Sequence, residues 1–114
     1  MKNQSINIPL LNDEYGVIVC WGDPAFLRRI GKRYQHREDI HLADHLRGAC
    51  WNCDGCKPII VLRGKPKTAQ EIATLSHEAV HAVSVVFRQI YQFEAAEEVF
   101  AHSVGAIVRK VLSA

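Results

Sequence analysis

Two hydrophobic rhythms divide the chain. In the first half, apolar residues come in short runs, Tyr15-Gly-Val-Ile-Val-Cys-Trp21 and Pro58-Ile-Ile-Val-Leu-Arg63, each followed at once by a glycine, Gly22 and Gly64. Runs this short, rich in β-branched residues and closed by turn formers, predict strands. Between them, Asp23-Pro24 offers an N-cap and a first-turn proline, which predicts a helix continuing to about Tyr34. In the second half the period becomes helical. Thr68-Ala-Gln-Glu71 has the form of a capping box, and from Ile72 apolar side chains recur through Leu75, Val80, Val83, Val86, Phe87 and Ile90 without a Gly or Pro. Small residues Ala73, Ala79 and Ala82 lie among them. Tyr91-Gln-Phe93 interrupts the pattern, and a second helical run occupies Glu94 to Leu112. Its apolar stripe is Phe93, Ala96, Phe100, Val104, Ile107 and Val111. A second flank carries Glu94, Glu98, Ala101 and Gly105. Small residues at that spacing let helices approach closely, and Gly105 costs about 1 kcal/mol of helix propensity, so this flank is expected to face the first helix.

These elements predict an α+β fold, a short sheet packed on an antiparallel pair of long C-terminal helices, as a single domain over residues 1–114. A chain of 114 residues supports one modest core, and its composition, 48% hydrophobic and 23% charged, is that of a globular protein. The net charge is +2 with basic residues scattered along the chain, which points away from nucleic acid. The N-terminal residues lack the apolar core of a signal peptide and no run is long enough for a membrane span, so the expected compartment is the cytoplasm and no membrane partner is expected. The oligomeric state is left open.

The chemistry is concentrated in Ser76-His-Glu-Ala-Val-His-Ala82. Residues four apart share a helix face, so His77 and His81 can turn their nitrogens toward one metal ion. Glu78 lies about 100° round the helix, beside the position of a metal-bound water, where a carboxylate can take and return a proton. The motif therefore reads as ligand, base, ligand for Zn²⁺. A buried imidazole needs a partner, and metal spacing supplies one, which outweighs a reading as two core histidines. A catalytic zinc takes a further ligand from another element. Glu98 is expected to provide it, with its neighbour Glu97 as competitor because it lies nearer the apolar stripe. Glu94, one turn earlier, is expected at the rim. His102, one turn after Glu98, reads equally as a partly exposed helix histidine or as a hydrogen-bonding partner of a ligand or an oxyanion, and Tyr91 is a second oxyanion candidate.

Glu98-Val-Phe-Ala-His-Ser-Val-Gly105, following His77-Glu78-x-x-His81, resembles the second signature of the gluzincins, the thermolysin-like and zinc-aminopeptidase branch of the zincin metallopeptidases. The resemblance covers about residues 68 to 112, and the short chain also resembles the small zincin-like proteins of phages and prophages. It implies a zincin-like domain with His77, His81 and Glu98 as zinc ligands and Glu78 as general base. It also implies a strand at the sheet edge beside the active-site helix, either Pro58–Arg63 or one near Ala49 to Asn52. His102 stands where thermolysin-like enzymes have Asp. The implied activity is peptide-bond hydrolysis on a protein or peptide substrate. Two other functions fit the same residues: a zinc-stabilised interaction module without catalysis, such as a phage-type regulator, and a hydrolase of a non-peptide amide.

A second cluster, Cys50-Trp-Asn-Cys-Asp-Gly-Cys56, has Cys20 far upstream. Asp54-Gly55 favours a tight hairpin between Cys53 and Cys56. Free, partly buried thiols are expected here, ahead of a second zinc at Cys50, Cys53 and Cys56 or a Cys53–Cys56 disulfide, which a cytoplasmic setting disfavours. His36, His41 and His45 are expected on the surface.

Overall fold

The strand at residues 16–21 is apolar at almost every position, and such a strand must be covered on both faces. That is what the computed structural model, which describes residues 3–10, 15–33, 48–52, 56–90 and 97–114, contains. Its elements in chain order are β1 (Gln4–Pro9), β2 (Gly16–Trp21), α1 (Pro24–Arg33), β3 (Gly48–Trp51), β4 (Ile59–Leu62), α2 (Ala69–Ile90) and α3 (Glu97–Ser113). The four strands form one sheet in the order β1-β2-β4-β3. β1 is antiparallel to β2, β2 is parallel to β4 with Ile18 opposite Ile59, and β3 is antiparallel to β4 with Cys50 opposite Ile60.

Alternation along these strands sorts two cores. Ile8, Val17, Val19, Trp21, Ile60 and Leu62 point to one face and pack with Leu75, Ala79, Ala82, Val83, Val86 and Phe87 of α2 and with Ile107 and Val111 of α3. Cys20, Ile59, Val61 and Trp51 point to the other face and pack with Leu27 and Ile30 of α1. The fold is thus α+β; among the described residues three helices cover the sheet from two sides, α1 on one face and α2 with α3 on the other, so the expected packing of the sheet on an antiparallel pair of long C-terminal helices does not describe it. β1 was not expected. Its signal is the alternation Ser5-Ile6-Asn7-Ile8, in which Ile8 is buried and Ser5 and Asn7 are exposed.

Both helix starts follow the sequence. The Asp23 Oδ1 accepts a hydrogen bond from the Phe26 N–H at 2.8 Å, capping α1. At α2, the Glu71 N–H donates to Thr68 Oγ1 at 3.1 Å while Glu71 Oε1 accepts from the Thr68 N–H at 2.9 Å, a reciprocal capping box.

The rotation of α3 differs from expectation. Phe100, Val104 and Val108 pack against the core beside buried Ile107 and Val111, whereas Glu98, Ala101 and Gly105 are exposed. A Cβ built on Gly105 would meet nothing within 4 Å, so this glycine has no packing role. Burial of the bulky stripe, at about 25 cal/mol per Å² of apolar surface, outweighs what close approach of a small-residue flank can return. Tyr34, His36, His41, His45, Cys53, Asp54-Gly55, Tyr91-Gln-Phe93 and Glu94 lie outside the described residues. Among the described residues, no helix is long and apolar enough to cross a membrane.

Candidate metal centre

The exposed face of α2 runs beside β3, and a cleft of about 1090 Å³ opens between them. Among the described strands β3 lies at the edge, bonded to β4, whereas β4 is interior; of the two expected edge strands, the one near Ala49 to Asn52 is therefore the outer one. Gly48 sets the closeness of strand and helix. A Cβ there would come within 2.9 Å of Leu62 Cδ2 and 3.1 Å of Thr74 Cγ2, so a side chain would push β3 away from α2 one turn before His77. Ala79 and Ala82, both fully buried, let α2 lie close on the sheet.

His77 and His81 line this cleft and are exposed to it, not embedded in the core as the apolar run around them suggested. Val80, between them, is also exposed. The two Nε2 atoms are 3.2 Å apart and the rings stand edge to face at 76°. Two nitrogens held at 2.0–2.1 Å by one tetrahedral zinc would be about 3.3 Å apart, so the separation of the pair matches that of two ligands of one ion. In its absence the same separation is that of a hydrogen bond from one ring to the other.

Glu78 differs from both histidines in being buried, 7% exposed, although it lines the same cleft. Its carboxylate and the two ring nitrogens all lie within 4.8 Å of one another, forming a group that could hold a metal ion. Cys50, on the β3 wall, is half-buried, and its thiol is pushed up to about 12 by burial and then by the Glu78 charge. Spacing alone gave no sign that Cys50 shares the cleft with Glu78, because that depends on the β3 register.

The other expected site residues are elsewhere. Glu98 is not in the group around His77 and His81; its Oε1 lies 3.2 Å from the Nε2 of His102, on side chains 85% and 79% exposed respectively. Such an exposed pair contributes little to stability. Glu97 is exposed as well. The structure thus brings together His77, Glu78 and His81, and does not bring Glu98 or His102 to them. The cysteine tract is also corrected: Cys56 is disulfide-bonded, so it is neither a free thiol nor available as a zinc thiolate, while Cys20 and Cys50 are free. Arg88, in the last turn of α2, lines the cleft two turns beyond His81, which the sequence analysis did not single out.

Comparison of the chain with family models, curated proteins and solved structures returns no match.

Proposed function

We propose that this chain is a zinc-dependent hydrolase of peptide bonds, with His77 and His81 as metal ligands and Glu78 as general base. The observation that carries the reading is the buried Glu78 carboxylate set against two cleft-facing imidazoles at metal spacing. A bound zinc supplies a water of lowered pKa and polarises a carbonyl. Glu78 would serve as the proton carrier, its carboxylate accepting a proton from the attacking water and delivering it to the leaving amine. Its burial between α2 and β3 keeps competing water from the carboxylate and holds it in one place. Among the described strands β3 is the outermost beside α2, and an extended peptide would lie along this strand by main-chain hydrogen bonds. The zincin resemblance of the His77–His81 helix supports the same assignment, and the edge strand beside that helix agrees with it.

Glu78→Gln tests this. The change keeps volume and both histidines, so zinc content and melting behaviour should persist while cleavage of casein or fluorogenic peptides falls about 10²-fold or more. Unchanged turnover would remove Glu78 as the base, and loss of zinc would make it a ligand. A protein partner bound equally by wild type and Glu78→Gln, and cut by neither, would favour the interaction module.

A further inference from the structure

We infer that Arg88 selects the ligand of the cleft by binding a carboxylate of an extended peptide about three residues from the His77–His81 pair, an inference that rests on the peptide reading above. His81 and Arg88 are seven residues apart on one uninterrupted helix. Seven residues are two turns less about 20°, so the Arg88 Cα lies on the same face as the histidines, about 10 Å beyond that of His81 along the axis. An extended chain advances about 3.3 Å per residue, and three residues cover that length. The cleft is continuous over this distance, with Ser84 and Val85 lining it between the two positions.

Charge defines the group that would bind. Among the described residues lining the cleft, Glu78 and Arg88 alone carry a full charge at neutral pH, and Glu78 lies at the metal end. Arg88 is exposed, donates from Nε to the Ser84 carbonyl at 3.4 Å, and pairs with no carboxylate among the described residues. That bond uses one of five guanidinium donors and braces the side chain along the helix, leaving the terminal nitrogens for a forked pair of bonds to a carboxylate. A cation in the last turn also complements the helix dipole, but that role is indifferent to the peptide in the cleft. An Asp or Glu side chain and a C-terminal carboxylate carry the same chemistry.

The test uses the zinc-loaded full chain carrying Glu78→Gln and fluorescein-labelled, alanine-rich peptides read by anisotropy. In one arm a single Asp is moved along the peptide a position at a time, each with an Asn counterpart; in the other the same neutral peptide ends in a free acid or an amide. The charged member of one pair should bind about fivefold tighter, the preference should shrink as salt is raised, and it should disappear when Arg88→Gln is added. The first arm responding identifies an acidic side chain, the second a terminal carboxylate. Charged and neutral peptides binding equally, or a preference that persists in Arg88→Gln, would overturn the inference and leave the peptide reading standing. Failure of every peptide to bind would overturn both. With otherwise wild-type enzyme, Arg88→Gln should raise KM for the preferred peptide and leave kcat unchanged.

Discussion

Adding zinc to metal-free protein should raise its melting temperature by about 10 °C, and the way variants change that shift tests the whole arrangement. His77 and His81 stand 3.2 Å apart on one helix, so binding needs little change in their separation, and an ion held there would stabilise the folded state by mass action. At free zinc one hundred times its Kd, this amounts to about 2.7 kcal/mol. For a chain of this size each kcal/mol shifts the melting temperature by about 4 °C. His77→Ala removes one of two imidazoles. If affinity falls about 100-fold, the same zinc concentration sits near the new Kd, stabilisation drops to about 0.4 kcal/mol, and the shift falls below about 2 °C. Glu98→Ala should retain the full shift, because that carboxylate is occupied with His102 outside the group. Scanning calorimetry with buffered zinc and with chelator measures all three proteins. An undiminished shift in His77→Ala would refute the site. Loss of the shift in Glu98→Ala would mean that α3 supplies a ligand and that the Glu98–His102 pair opens when metal binds.

Three further outcomes are expected. Thr68→Ala should lower stability by about 1 kcal/mol in urea titration, and Thr68→Ala with Glu71→Ala should cost less than the sum of the two, because their bonds are reciprocal. Gly105→Ala should raise stability by up to about 1 kcal/mol without changing zinc affinity, since a Cβ there meets open space; destabilisation would mean that this flank is packed. The Asp23 carboxyl is held below its ordinary 3.8 by the Phe26 N–H, so its stabilisation is present above that value and lost as pH falls through the lower folded-state pKa. The stability difference between wild type and Asp23→Ala should accordingly narrow below about pH 4, and NMR titration of Asp23 reads the lowered pKa directly.

What was legible in the sequence was local. The capping box, the Asp23-Pro24 helix start and the His77–Glu78–His81 spacing each involve groups within a turn of one another, so residue identity nearly determines geometry. The rotation of α3 was less so, because two patterns competed within it. A stripe ending in Ile107 and Val111 and a flank containing Ala101 and Gly105 each suggest an interface, and only the packed structure shows the stripe buried and the flank in solvent. The placement of Glu98 followed from that rotation and moved with it. The order of the strands depends on pairing between distant residues, so neither the interior position of β4 nor the placing of Cys50 in the cleft with Glu78 could be read from spacing.

The two walls of the cleft therefore belong to different stages of folding. α2 is capped at its start and carries both histidines within four residues, and a helix of this length relaxes within about a microsecond. β3 reaches its place only after Ile18 finds Ile59 in the parallel β2–β4 pairing, a long-range closure of the slow kind. If the local helix forms ahead of the long-range pairing, the imidazole pair precedes the wall that buries Glu78, and metal taken up on the early helix would be enclosed on that side only when the sheet forms.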